Sequence, residues 1–183
     1  DGHGMTAEEA PLALLRHATS KIRDAGDLEA IRTLGFRGEA LPSIASVSRF
    51  ELTTRTRDAD VGVRIVAGNG RIEATPVACP AGTSISVRDL FCNVPARLKF
   101  QKGERSQVAA LEDVVRRTAL AHPAVHIVLS GTRRTPLDFP ACPRLSDRVA
   151  SVLGRDLAGR LHEVRAEEDG LLVSGVVGGP DLA

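Results

Sequence analysis

The residues with the clearest chemical potential are two glycines around an arginine, Gly35-Phe36-Arg37-Gly38, followed at once by a helical pattern. Pro42 limits where that helix can begin, because proline is tolerated only in the first turn, where its missing N–H would have no intrahelical acceptor. The backbone amides of residues 38–41 therefore lie at the positive end of the helix. Glycine-flanked amides at a helix start can bind an anion. The pattern predicts a phosphate-binding loop, and a loop that merely precedes a helix is the alternative.

Three further clusters have residue types suited to ligand binding. Asp1-Gly2-His3-Gly4 combines a carboxylate with glycines, Thr19-Ser20-Lys21 combines hydroxyls with a cation, and Gly82-Thr83 precedes the segment Asp89–Phe100. Taken singly, each has a simpler interpretation as a turn, a solvated lysine or a strand. Their order along one chain carries more information than any of them alone.

The hydrophobic pattern predicts the elements that must position these clusters. Helices and antiparallel strands are segregated along the chain, which indicates the α+β class. A capping box, Thr6 with Glu9, is expected to begin the first helix. The predicted elements are helices over Ala7–His17, Leu28–Leu34, from Glu39, from Ser106 and over Ser146–Leu153, and strands over Arg49–Arg57, Val61–Val66, Arg71–Val77, Thr83–Val87, Val125–Leu129, Thr135–Phe139, Leu161–Ala166 and Leu171–Val177.

Composition excludes several classes of protein. The chain has 183 residues and a formal net charge of +1, which argues against binding dominated by wholesale phosphate neutralisation. No apolar run approaches the roughly 20 residues that a membrane span needs, and no signal peptide is visible, so we expect a cytoplasmic protein. Cys79, Cys92 and Cys142 fit neither a disulfide framework nor a zinc site and are expected to be buried or unused thiols.

Three segments in this order resemble the MutL family of DNA mismatch-repair ATPases, within the GHKL superfamily of gyrase, heat-shock chaperone, histidine kinase and MutL. They are RHATSKI (Arg16–Ile22), LGFRGEALPSIASVSR (Leu34–Arg49) and GTSISVRDLFCNVPARLKF (Gly82–Phe100). The resemblance covers essentially the whole chain. No Walker pattern G-x-x-x-x-G-K-[ST] is present, so the chain is not a P-loop protein.

The resemblance implies a GHKL-type ATP-binding sandwich, with helices on a mixed, largely antiparallel sheet. This ATPase domain would occupy residues 1–142, and residues 143–183 would begin a ribosomal-protein-like α+β transducer domain. The boundary falls in the proline-containing stretch DFPACPRLS.

The resemblance also assigns roles within an ATP site. Asp1 would accept the adenine amino group, Gly2 and Gly4 would keep the backbone close to the base, and Thr83 would support the same pocket. His3 departs from the small or Asn-like residue often found at its position and is expected to be tolerated. An ATP lid would span Ala18–Leu41. The ATP-binding residues implied are Asp1, Gly2, Gly4, Thr19, Lys21, Gly35, Phe36, Arg37, Gly38 and Thr83.

The catalytic residues of the family are expected outside this sequence. The family's catalytic Glu and Mg²⁺-binding Asn lie on a helix before the D-x-G-x-G motif, and its phosphate-sensing Lys lies deeper in the transducer domain. None of residues 1–183 is therefore expected to be the general base or a metal ligand. The segment alone should be hydrolytically inactive, whereas the full-length protein is expected to be an ATPase that uses ATP and Mg²⁺.

The resemblance implies that ATP binding and hydrolysis are coupled to homodimerisation of the N-terminal halves. They would also be coupled to contacts with DNA and with a mismatch-recognition protein. The implied location is the bacterial cytosol or nucleoid, without a membrane. A type II topoisomerase ATPase is one alternative, although it would lack DLFCNVPARLKF. A nucleotide-free DNA-binding module is another, based on Arg116-Arg117 and Arg133-Arg134, although a solvated face is the favoured interpretation of both pairs. The sequence identifies no DNA-contacting residue.

Overall fold

The structure is a computed structural model that describes residues 2–21, 26–27, 35–68, 70–131 and 135–182. The chain divides into two compact units, Asp1–Gln101 and Lys102–Ala183. The helix predicted over Leu28–Leu34 lies outside the described residues.

The first unit is built on a four-stranded antiparallel sheet with the strand order β3-β2-β1-β4. Burial alternates along β1, where Phe50, Leu52 and Thr54 face the core. This alternation places one face of the sheet against helices and leaves the other polar. The strands are β1 (Arg49–Arg55), β2 (Gly62–Gly68), β3 (Arg71–Val77) and β4 (Gly82–Arg88), which confirms the four strands predicted here.

Two short helices, α1 (Glu9–Leu12) and α2 (Ala40–Ala45), pack against this sheet. A third, α3 (Pro95–Lys99), has no buried residue and was not predicted. Ala10 and Leu14 join Phe50 and Leu52 in the hydrophobic core, and Leu41 packs against it. Pro42 lies in the first turn of α2, as predicted, and is buried there.

The first helix is shorter than the predicted Ala7–His17. Its capping box is confirmed, because the Thr6 N–H donates to Glu9 Oε2 (2.9 Å) and the Glu9 N–H donates to Thr6 Oγ1 (3.2 Å). Beyond Ala13 the backbone bonds change to the tighter i to i−3 pattern, and His17 takes a left-handed φ of 65°. These two features end the regular helix about one turn early.

The polar face of the sheet carries a two-bond ion pair. Arg64 Nε and Nη2 donate to the two carboxylate oxygens of Glu51, both at 2.7 Å. This hydrogen bonding lowers the pKa of Glu51 below its ordinary value.

The second unit packs helices with two small hairpins. Its core contains Ala119, Phe139 and Val152. A short helix after Gly154 and a 3₁₀ turn at Pro180–Leu182 were not predicted, whereas the long helix and both hairpins were. The elements are α4 (Glu104–Ala121), β5 (Ile127–Leu129), β6 (Leu137–Phe139), α5 (Leu145–Leu153), α6 (Arg155–Ala158), β7 (Leu161–Glu168) and β8 (Leu171–Gly178).

The core of this unit draws on residues from both sides of position 143. Val152 of α5 packs with Ala119 of α4 and Phe139 of β6. The buried Arg148 of α5 donates from Nη2 to the carbonyl oxygens of Pro123 and Val125, at 2.8 and 2.6 Å. The division of the chain into domains at residues 142 and 143 stays a prediction. Within the described residues, no helix combines the length and the apolar character needed to cross a bilayer.

Candidate functional site

The first unit contains a cleft of about 790 Å³. That volume falls within the range typical of small-molecule sites. Residues 18–21 and 35–42 form most of its described wall. Its described lining is His3, Met5, Glu9, Leu12, Ala13, the residues 18–21 and the residues 35–42.

The cleft brings together the residues predicted to face phosphates. Thr19, Lys21, Gly35, Phe36, Arg37 and Gly38 all line it. Gly2, Gly4 and Thr83 are not among its lining residues, and Asp1 lies outside the described residues.

Gly38 joins the two stretches of the wall. It has a left-handed φ of 64°, and a Cβ added to it would lie under 3.0 Å from the carbonyl oxygen of Ala18. A side chain would therefore be strained by the backbone angle and would collide with backbone. Gly38 is a glycine because Ala18 and the start of α2 pack backbone to backbone at this point.

Glu39 lines the cleft and contacts two basic side chains. Its carboxylate lies 3.2 Å from Arg37 Nε and 3.2 Å from His17 Nδ1. The contact with His17 is an ion pair only when the histidine is protonated. Arg37 lines the cleft and is largely exposed, so its ion pair with Glu39 holds it weakly and leaves it able to turn toward a ligand. Sequence reasoning missed Glu39, because a carboxylate at the start of a helix is common for its interaction with the helix dipole alone.

Gly4 and Thr83 are positioned by the sheet. Gly4 has a φ of 75°, and an added Cβ would lie under 3.0 Å from the Arg55 carbonyl oxygen, so its packing against β1 requires glycine. Thr83 Oγ1 lies 2.9 Å from Oγ1 of Thr54, which is completely buried and also accepts the Met5 N–H at 2.9 Å. Sequence reasoning did not select Thr54, although a threonine at an inward position of β1 was a usable signal.

The far end of α2 is held by the segment DLFCNVP. The Phe91 N–H donates to the Val47 carbonyl oxygen (2.6 Å), and Asn93 Nδ2 donates to the Ser46 carbonyl oxygen (2.8 Å). Asp89 and Phe91 have left-handed φ values of 50° and 66°. A bulky aromatic residue in that region is unusual, so tertiary contacts must hold this turn.

The described arginines proposed for DNA contact make intramolecular contacts. Arg116 Nη1 donates to the Val152 carbonyl oxygen (2.8 Å), and Arg117 pairs with Asp113 one turn away on the exposed face of α4. Arg133 and Arg134 lie outside the described residues. These contacts account for the described arginine pair without DNA.

The remaining candidate ligands add no second site. All three cysteines are free, with Cys92 exposed and the others half-buried. In the parts of the chain that the structure describes, no three His, Cys, Asp or Glu side chains cluster in a way that could hold a metal ion.

Comparison with known proteins identifies the family. No protein-family model matches the chain. The DNA mismatch repair protein MutL of Symbiobacterium thermophilum is 50% identical over 184 residues, which cover 100% of this chain and 29% of that protein. MutL of Rhizobium meliloti is 51% identical over 183 residues, covering 98% of this chain and 30% of that protein.

A solved structure, the Aquifex aeolicus MutL ATPase domain complexed with ADP, is 32% identical with a TM-score of 0.63, covering 79% of this chain and 56% of that one. This chain spans about 30% of the length of its curated relatives. The matches support the MutL interpretation and not the topoisomerase alternative. The chain therefore belongs to the MutL family of DNA mismatch-repair proteins, and its α+β fold matches the MutL ATPase domain.

Proposed function

We propose that this chain is the ATP-binding part of a MutL-type DNA mismatch-repair ATPase. The observation that supports this most strongly is the cleft, where Thr19 and Lys21 from one stretch lie in the same wall as Gly35–Gly38 from another. Hydroxyl, ammonium and glycine-flanked amide groups converging on one cavity are suited to a polyphosphate.

The proposed contacts divide the nucleotide between two parts of the site. Lys21, Thr19 and the amides of residues 35–38 would bind the phosphates, with each hydrogen bond to a charged group contributing about 1.5–3 kcal/mol. Arg37 would leave Glu39 to join them. Asp1 and Thr83 would hold the adenine, while Gly2 and Gly4 keep the backbone near the base.

Neither carboxylate in the described cleft wall is proposed as the general base. Glu9 accepts the Thr6 N–H in the capping box, and Glu39 pairs with Arg37 and His17. Mg²⁺ is commonly held by one or two protein ligands together with substrate phosphates. We therefore propose that Mg²⁺ binds with ATP, and that the described residues supply nucleotide binding rather than hydrolysis.

In the intact protein, ATP binding would order the segment Ala18–Leu41 and promote homodimerisation of two N-terminal halves. That change would alter contacts with DNA and a mismatch-recognition protein. Ordering of a segment by a nucleotide phosphate is a recognised kind of switch. The bacterial cytosol or nucleoid is the proposed location.

The charge of Lys21 provides the direct test. Lys21→Met in the intact protein should weaken binding of a non-hydrolysable ATP analogue about 10- to 100-fold, because one charge-assisted contact is lost. Isothermal titration calorimetry measures this. Lys102→Met, a change of another exposed lysine, is the matched control and should leave affinity unchanged. Equal affinities for wild type and Lys21→Met would contradict the proposed phosphate site.

A further inference from the structure

The two carboxylate oxygens of Glu39 contact two different basic side chains at the cleft. Oε1 lies 3.2 Å from Nδ1 of His17, which directly precedes the wall residues 18–21, and Oε2 lies 3.2 Å from Nε of Arg37. The Glu39 side chain is 33% exposed, whereas both basic side chains are 76% exposed. The carboxylate is therefore the most shielded of the three groups, and it lies in the same wall as the groups proposed to bind phosphate.

The helix that follows Glu39 makes no hydrogen bond to this carboxylate. Glu39 is the N-cap residue of α2, yet its side chain forms no capping hydrogen bond there. Glu9, the other carboxylate of the described cleft lining, is used in that way, because it accepts the Thr6 N–H. Beyond the general attraction of a negative charge to a helix start, the contacts of Glu39 are with His17 and Arg37.

The contact with Arg37 has a consequence for any anion that enters the cleft. A guanidinium binds carboxylate and phosphate oxygens through the same kind of charge-assisted hydrogen bond. Because Arg37 lies within ion-pair distance of Glu39, a phosphate that approaches Arg37 also approaches the Glu39 carboxylate. Like charges at such distances repel each other, and the partial shielding of Glu39 strengthens the repulsion. Phosphate and Glu39 are therefore competitors for one guanidinium.

We propose that Glu39 is a positioning residue that holds Arg37 while the cleft is empty and competes with the nucleotide phosphates for it. This inference rests on the proposed function, in which Arg37 joins the phosphate-binding groups. The competition makes nucleotide binding weaker than the basic groups of the wall alone would make it. A weaker hold on the phosphates favours release of the nucleotide. Glu39 acts through Arg37 and does not itself bind the nucleotide.

The test measures the affinity of the intact protein for a non-hydrolysable ATP analogue by calorimetry. Glu39→Gln keeps the size of the side chain and removes its charge, so binding should become about three- to fivefold tighter, the range of one exposed ion pair. Glu9→Gln removes the same charge from the same wall without an ion pair to Arg37. It should tighten binding by less than about twofold, because exposed charges are screened by salt. An equal gain in both variants would contradict a role through Arg37.

A double-mutant cycle with Arg37 separates competition from a purely structural role of Glu39. Arg37→Met should weaken binding, and adding Glu39→Gln to it should give no gain in affinity. If Glu39 only supported the start of α2, Glu39→Gln would lower the affinity or leave it unchanged. Either of these results, or the same gain with and without Arg37, would overturn the proposal.

Glu39→Asp decides the question if Glu39→Gln does not fold. It keeps the negative charge at the helix start, but its shorter side chain draws the carboxylate away from Arg37, so binding should again become tighter. Unchanged or weaker binding in Glu39→Asp would then refute the competition. Failure of the proposed function has a different signature, because the wild-type protein would then not bind the analogue at all.

Discussion

At the scale of single residues, Gly38 and Glu39 have different roles at one point of the cleft wall. Gly38 lets the backbone of Ala18 approach the start of α2, and the Glu39 carboxylate contacts Arg37 and His17. The glycine pattern alone predicts a role for Gly38 in phosphate approach. Its packing against Ala18 shows a structural requirement as well.

Gly38→Ala should therefore lower thermal stability and nucleotide affinity together. The left-handed backbone costs an L-residue about 1–2 kcal/mol, and the added methyl would also push Ala18 away. Thermal unfolding and calorimetry on the same variant measure both effects. Gly103→Ala is the control, because its added Cβ would meet no atom within 4 Å and the residue lies outside the described cleft wall. A Gly38→Ala protein that melts like the wild type would contradict the packing role.

At the scale of elements, α2 connects the cleft with the DLFCNVP turn. Its first residues line the cleft, and the backbone just after it accepts hydrogen bonds from Asn93 and Phe91. A helix of only six residues has little stability of its own, so these tertiary contacts must hold it in place.

Asn93→Ala should loosen the end of α2 without unfolding the sheet. Loss of one hydrogen bond of about 1 kcal/mol corresponds to roughly fivefold faster opening. The amide of Ser46, which donates to the Pro42 carbonyl oxygen, is the reporter in hydrogen exchange. Gln101→Ala removes another exposed amide of the same unit and should have no effect. Identical Ser46 exchange in wild type and Asn93→Ala would show that Asn93 does not hold the helix.

At the scale of the whole molecule, the chain has two units with separate cores and spans about 30% of the length of its curated relatives. The described lining residues of the cleft belong to the first unit. A ligand bound in the cleft should first order the residues that line the cleft. Its effects on dimerisation are expected in the longer protein.

A non-hydrolysable ATP analogue should slow hydrogen exchange at Gly35–Leu41 in the intact protein. Gly35, Phe36 and Arg37 are exposed, so few buried contacts protect this stretch before the phosphates bind. The middle of the long helix α4 is the internal reference and should change less. Equal exchange at Gly35–Leu41 with and without the analogue would mean that this stretch is a fixed element rather than part of a lid.

The sequence alone determined the features that depend on neighbouring residues. Alternation of period two predicted the strands of the first sheet, Pro42 predicted the start of α2, and Thr6 with Glu9 predicted the capping box. Backbone preferences and bonds that span three or four residues are present in the local sequence itself. The family followed from three motifs in a fixed order.

The tertiary structure decided which distant atoms meet. Met5 and Thr54 are 49 positions apart, yet one hydrogen bond joins them. The close approach of Ala18 to Gly38 likewise depends on how separate segments pack. The type of a residue determines whether its side chain can donate a hydrogen bond, accept one or carry charge. Which partner it meets is decided only in the folded chain, because burial and distance arise from the packing of all elements together.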